Sequence, residues 1–195
     1  MKLNTHSNLA GHHAFLSPSN VHWVNYTDDK LISVYENKVL AVERGTKLHE
    51  YACRAIELRR KQPKTKDTVC MYINDAIGYR MEPEKVLFYS DICFGTTDAI
   101  LFDEKKKILR IHDLKTGVEK AHMSQLVTYA ALFFLEYGKK IKYEYNLDIS
   151  DIYTELRIYQ DNKIEPYFPT TDELLTRMDI IVRFDKILQE RKAEE

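Results

Sequence analysis

Two aspartates and a lysine near the middle of the chain are the side chains best suited to chemistry. Asp113 and Lys115 lie two positions apart at the end of one β-prone run, and Asp98 lies in the β-prone run before it. Because side chains alternate between the two faces of a strand, Asp113 and Lys115 project in the same direction. A hairpin turn between the two runs would bring Asp98 alongside them.

Converging carboxylates of this kind indicate a cation site. Two carboxylates at one place repel each other unless a cation lies between them, and hard oxygen ligands suit Mg²⁺ or Mn²⁺ rather than zinc. A lysine beside them can hold an attacking water or balance charge on a phosphorus centre, so the pattern favours phosphodiester hydrolysis. The alternative is a surface ion pair between Asp113 and Lys115, worth less than about 1 kcal/mol.

Residues on two predicted helices extend this set. Gln125 and Tyr129 are four positions apart on the helix that follows the strands, so they share a face next to the strand ends. His49 lies on the helix that precedes the strands. A histidine and two polar helix residues therefore flank the predicted cation site.

Hydrophobic periodicity and turn signals predict the elements that must position these residues. A helix start at Ser17 and Pro18 precedes a longer helical region that bends at 44–46. The strands form a three-stranded meander, with Gly95 and the polar residues 103–106 at its turns. The predicted helices are 45–60, 68–78, 123–137 and 171–189, and the predicted strands are 86–89, 97–102, 108–114 and 153–159.

Length, composition and charge describe one globular domain over 1–195, with 1–16 as a flexible tail. The chain carries 29 Lys and Arg against 30 Asp and Glu, a net charge of −1, so positive charge does not cover the whole surface. Basic residues are instead grouped at 54–66 and 105–110, where charge alone favours a solvated helix face or hairpin tip and also permits a groove for DNA. No segment reaches the roughly 18 apolar residues of a membrane span or resembles a signal peptide, which predicts a cytoplasmic protein.

Four short motifs, in this order along the chain, resemble those of the PD-(D/E)XK nuclease superfamily, in its RecB-type and lambda-exonuclease-like branch. They are a GxxxH helix at Gly45 to His49, a GxxD strand at Gly95 to Asp98, a DxK strand at Asp113 to Lys115, and a QxxxY helix at Gln125 to Tyr129. The residues at 13–19, together with Trp23, further resemble a phage-borne family of this superfamily.

The resemblance implies an α/β fold with a restriction-endonuclease-like core of helix, three-stranded meander, helix and strand, and extra N- and C-terminal helices. It also implies the roles of individual residues, with Lys115 assisting the attacking water. The implied metal ligands are His49, Asp98, Asp113 and the backbone carbonyl of Leu114. The implied catalytic residues are Asp98, Asp113, Lys115, Gln125 and Tyr129, and the implied DNA-binding residues are Arg54, Arg59, Lys115, Gln125 and Tyr129.

Two departures from the family pattern bear on cofactors. Tyr26 stands where iron–sulfur relatives carry a first cysteine, and the C-terminal half of the chain has no cysteine, so no iron–sulfur cluster is expected. Many relatives carry a Glu on the first core strand, whereas Glu82 and Glu84 precede the strand predicted at 86–89, so the resemblance does not extend to a second metal ion. The expected cofactor is Mg²⁺ or Mn²⁺.

By this resemblance the chain is expected to be a metal-dependent deoxyribonuclease, an exonuclease that processes double-stranded DNA ends in phage recombination or replication. A single-strand annealing or binding protein and further copies of the chain are its implied partners, and the cytoplasm of a bacterial host is the implied location. One alternative is a structure-specific endonuclease with the same site. The other is a non-catalytic DNA-binding or scaffolding protein that retains the fold.

Overall fold

The computed structural model describes residues 24–37, 41–117 and 122–193. The chain divides into two compact units, residues 1–46 and 47–195, so a single domain over 1–195 stays a prediction. The predicted tail at 1–16, the helix start at Ser17 and the segment 13–19 with Trp23 lie outside the described residues.

Helix α1 (Asp28–Tyr35) lies in the first unit. Its N-cap is Thr27, whose hydroxyl accepts a hydrogen bond from the Lys30 N–H at 3.3 Å. Helix α2 (Ala41–Glu57) begins in this unit and ends in the second, and it is continuous through the positions where a bend was predicted.

A five-stranded sheet forms the centre of the second unit. Its strands lie in chain order: β1 (Glu82–Ser90), β2 (Cys93–Asp103), β3 (Ile108–Leu114), β4 (Tyr153–Gln160) and β5 (Lys163–Tyr167). The first three strands are antiparallel neighbours, which confirms the predicted meander. Strands β3 and β4 are parallel, as the intervening helix α4 (Met123–Tyr145) requires, and β5 returns antiparallel to β4. The chain is therefore a mixed α/β protein.

Helices cover both faces of this sheet and bury two apolar clusters. Helix α4 and the terminal helix α5 (Thr171–Ala193) pack with Leu109 and Ile111 of β3 in one cluster. Helix α2 and helix α3 (Thr68–Tyr79) pack with Leu114 of the same strand in the other. This alternation along β3 sends Asp113 to the α4 face and His112 to the α3 face.

Several predicted boundaries were wrong, each for a local reason. Strand β1 begins at Glu82, because Pro83 is tolerated on an edge strand. Gly95 lies inside β2 rather than at a turn. Helix α4 continues through Gly138, whose cost of about 1 kcal/mol is offset by packing of Ile141, and it ends at Asn146 in the left-handed conformation. Strand β5 was not predicted.

Among the described residues, no helix is both long enough and apolar enough to cross a membrane.

Candidate metal centre

Three side chains from different elements come together at one edge of the sheet. His49 of α2, Glu84 of β1 and Asp98 of β2 each offer a ligand atom, and these atoms lie within 4.8 Å of one another. His49 Nδ1 is 3.5 Å from Asp98 Oδ2. Together with the neighbouring Asp113, these residues are called the acidic cluster below.

The pairing of the strands explains why the carboxylates are neighbours. The pairs Pro83 with Ala99 and Lys85 with Thr97 place Glu84 opposite Asp98. On the other side of β2, Asp98 lies one residue beyond the pair of Ala99 with His112, so it continues the ladder opposite Asp113. Three successive strands thus contribute one carboxylate each, in a row across the sheet.

Glu84 adopts a backbone conformation that is unusual for a strand. Its φ is 50°, in the left-handed region that residues other than Gly, Asn and Asp rarely adopt. Such local strain persists only where the surrounding structure enforces it, and it is commonest at functional sites. The turn of the backbone accompanies the approach of the Glu84 carboxylate to Asp98.

Asp113 is buried, with only 3% of its surface exposed, and Lys115 is its partner. The Lys115 ammonium donates to Asp113 Oδ1 at 3.1 Å and also to Gln125 Oε1 of α4 at 3.1 Å. Asp113 Oδ2 lies 3.0 Å from the same ammonium but accepts no hydrogen bond from the described residues. The ion pair with Lys115 therefore holds the Asp113 carboxylate in a fixed position beside Asp98.

Leu114 connects the strands through its backbone. Its N–H donates to Asp98 Oδ2 at 2.7 Å, which fixes that carboxylate, while its side chain is fully buried in the cluster beneath α2 and α3. Metal binding by the Leu114 carbonyl stays a prediction.

Tyr129 reaches the sheet because β2 carries no side chain at Gly95. A Cβ atom at Gly95 would lie 2.9 Å from Tyr129 Cε1, closer than non-bonded carbon atoms approach. The GxxD and QxxxY motifs are therefore in direct contact. Gln125, one turn before Tyr129, reaches Lys115 as described above and so adjoins the acidic cluster.

The electrostatics of the cluster show an excess of negative charge. Burial and then the nearby Asp98 carboxylate raise the pKa of Asp113. Glu84 is exposed as a residue, but partial desolvation of its carboxylate and then Asp98 raise its pKa too. Contact with Asp98 raises the pKa of His49 against the opposing effect of burial. All three shifts favour protonated forms, which a divalent cation at the same place would replace.

Sequence reasoning missed Glu84, because the first strand was predicted to begin only at residue 86. Neither Pro83 nor the alternating residues after it indicated that the strand starts before residue 86. The structure places Glu84 within β1, where its carboxylate lies near His49 and Asp98.

The predicted DNA-binding arginines lie outside the acidic cluster. Arg54 is exposed and its guanidinium pairs with Glu57 at 3.1 Å, and Arg59 is exposed just beyond α2. The second basic group is at the end of the sheet opposite the acidic cluster. Lys105 to Lys107 form the turn before β3, and Asp113 lies about 17 Å further along that strand. Arg110 is engaged elsewhere, with Glu155 at 3.1 Å.

Searches against protein-family models, curated proteins and solved structures found no match for this chain. The site is therefore interpreted from its own geometry.

Proposed function

We propose that this protein is a metal-dependent DNA nuclease, an exonuclease acting on double-stranded ends. The observation that carries the proposal is the row of Glu84, Asp98 and Asp113 on three adjacent strands, with His49 and Lys115 beside it. Carboxylates held this close without an opposing charge for each form a preorganised cation site rather than a stabilising salt bridge.

The donor set fits Mg²⁺ or Mn²⁺, since carboxylate oxygens predominate and one imidazole is tolerated by Mn²⁺. His49, Glu84 and Asp98 would hold the ion, and Asp113, which continues the row beyond Asp98, would add a further carboxylate on the β3 side. Such an ion supplies charge stabilisation at phosphorus and lowers the pKa of water.

The protein's own residues supply the remaining functions. Lys115 bridges Asp113 and Gln125, so its ammonium is fixed at the edge of the cluster, where it can orient a water and stabilise negative charge developing on a phosphoryl oxygen. Gln125 holds this ammonium, and the Tyr129 ring, packed against Gly95 of β2, would contact the DNA strand.

One of the two basic groups supports DNA as the substrate. Thr68, at the start of α3, is joined to Asn162 in the turn after β4 by a hydrogen bond from Thr68 N (3.1 Å) and one from Asn162 N (2.8 Å). This turn lies at the end of the sheet that carries Asp113 and Lys115, because Tyr159 pairs with Leu114. The exposed basic segment 59–66 therefore approaches that end of the sheet.

The test compares end-labelled linear duplex with covalently closed circular DNA, in Mg²⁺, in Mn²⁺ and after chelation. The intact protein is compared with Lys115→Ala, Asp113→Asn and Glu84→Gln, and Lys105→Ala at the far end of the β2–β3 hairpin is the control. We expect degradation of the linear DNA only, abolished by chelator and lowered at least about 100-fold by the first two substitutions.

Other outcomes separate the alternatives. Cutting of the circle would replace exonuclease by endonuclease activity at the same site. Folded protein that binds DNA but cuts neither form with either metal would overturn the nuclease proposal in favour of a binding protein. Equal loss in Lys105→Ala would show that the substitutions act through general damage rather than through the site.

A further inference from the structure

Arg177 of α5 is held in a fixed position against the first turns of α4. Its Nη1 atom donates to Thr128 Oγ1 at 2.7 Å and to Ser124 Oγ at 3.0 Å, with the Ser124 carbonyl at 3.4 Å. Thr128 Oγ1 itself donates to the Ser124 carbonyl at 2.8 Å, which orients the hydroxyl. Two hydroxyl groups one helical turn apart thus anchor a single guanidinium nitrogen.

The charge of Arg177 is not neutralised within the described part of the chain. No described carboxylate lies within 4.0 Å of its guanidinium, although the residue is half-buried. The described hydrogen bonds use Nη1 alone, whereas a guanidinium has five N–H donors. The remaining donors are therefore available to an anion, which they can bind in a bidentate manner.

The position of this guanidinium relates it to the proposed active site. Ser124 and Thr128 immediately precede Gln125 and Tyr129, so the two pairs lie about 100° apart around the same turns of α4. Gln125 contacts Lys115, and Tyr129 contacts β2 at Gly95. The Arg177 guanidinium is thus held beside the face of α4 that carries Gln125 and Tyr129.

We propose that Arg177 binds a phosphate of the DNA backbone adjacent to the one being hydrolysed, with Ser124 and Thr128 positioning its guanidinium. This inference rests on the proposed nuclease function and assigns one contact to its substrate. Phosphate contacts fix the register of a nucleic acid on a protein without reading its sequence. Arg177 therefore sets how far the strand advances into the site.

Arg183 provides a matched control on the same helix. It lies six residues, about 9 Å, further along α5, is exposed, and stacks over the ring of its neighbour Phe184 at 5.0 Å. Like Arg177 it has no described carboxylate partner, but no hydroxyl group on α4 orients it. Substitution of either arginine by glutamine therefore removes the same single positive charge from α5.

The experiment measures binding of a fluorescent duplex oligonucleotide with a 5′-phosphate, in Mg²⁺, between 50 and 200 mM salt. Every protein compared also carries Asp113→Asn, which prevents cleavage. We expect Arg177→Gln to weaken binding about five- to twenty-fold and to reduce the slope of log affinity against log salt by about 0.9, the value for one phosphate contact. Arg183→Gln should change neither quantity, and Arg177→Lys should restore most of the slope.

A purely structural role would give a different result. Arg177→Gln would then lower the melting temperature, by loss of the bonds to Ser124 and Thr128, and leave the DNA affinity and its salt slope unchanged. That result would overturn the inference. Cleavage of DNA by the wild-type protein would still support the nuclease function. If the protein neither binds nor cleaves DNA, the proposed function fails, and the phosphate site fails with it.

Discussion

One strand, β3, contributes to two polar clusters of opposite electrostatic character. On the α3 face, Arg110, Glu155, Arg157 and Asp75 form what we call the paired network: Arg110 Nε to Glu155 at 3.1 Å, Arg157 Nη2 to Glu155 at 2.5 Å, and Arg157 Nη1 to Asp75 at 3.0 Å. On the α4 face lies the acidic cluster. The paired network contains two cations and two carboxylates. The acidic cluster contains three carboxylates, which face only Lys115 and a titratable histidine.

The comparison distinguishes charges that hold the fold together from charges available for chemistry. In the paired network each ion has an opposite charge within 3.1 Å, so nothing further is needed to neutralise it. In the acidic cluster burial, and then the Asp98 carboxylate, raise the pKa of both Asp113 and Glu84, which means that the fold holds these carboxylates together against desolvation and repulsion. Retaining such strain is typical of functional sites, where activity is kept at a cost in stability.

The largest effect on stability should follow from breaking the paired network. Arg157→Met leaves Glu155, which is almost completely buried, and Asp75 without their shared cation, and we expect the free energy of unfolding to fall by about 3 kcal/mol. Urea unfolding measures this. Lys186→Met, which breaks an exposed pair with Glu190, is the control and should change little. A small effect of Arg157→Met would show that the network is not what stabilises this face.

Removing a charge from the acidic cluster should raise the free energy of unfolding, whereas removing one from the paired network lowers it. Because the folded state raises the pKa of Asp113, ionised Asp113 costs stability, and this cost grows as the pH rises from the ordinary Asp pKa of about 3.9 through the raised value. Asp113→Asn should therefore stabilise the metal-free protein by about 1 kcal/mol at pH 7, and by little near pH 3.5. Urea unfolding in chelator at the two pH values is the measurement. Destabilisation at pH 7 would show that the bond to Lys115 outweighs the burial and repulsion.

The smallest effect distinguishes two histidines by their titration. His49 has a raised pKa, so its stabilising contribution is complete below pH 6.5 and is lost as the pH rises through the folded-state value. Burial, and then Arg157 and Arg110, lower the pKa of His112 well below its ordinary value, so His112 costs stability as the pH falls below 6.5.

Proton NMR of the imidazole Cε1–H resonances tests this contrast, with His49→Asn and His112→Gln providing the assignments. We expect His49 to titrate above pH 6.5 and His112 to titrate only well below pH 6.5. Addition of diamagnetic Mg²⁺ should lower the apparent pKa of His49 and leave that of His112 unaffected. Similar titration of the two residues would remove the distinction between the clusters.

Much of the fold was predictable because local patterns specify local structure. Periodic apolar residues located α3, α4 and α5, and β-prone runs located β2, β3 and β4, with errors mainly at their ends. The alternation of side chains along β3 also predicted that Asp113 and Lys115 project in the same direction, and in the structure the Lys115 ammonium donates to Asp113 Oδ1. The convergence of Asp98, Asp113 and Lys115 followed from the same reasoning.

What the sequence by itself determined was therefore the identity of the elements and the residues exposed on each face, since both depend on neighbours within a few positions. Only the tertiary structure decided that Glu84 joins His49 and Asp98, because this depends on the pairing of β1 with β2 and on the left-handed turn at Glu84. It likewise decided that Lys105 to Lys107 lie far from Asp113 and that Arg177 lies beside Ser124. Such distances are set by strand register and helix packing, which join residues that are remote in the chain and carry no local signal.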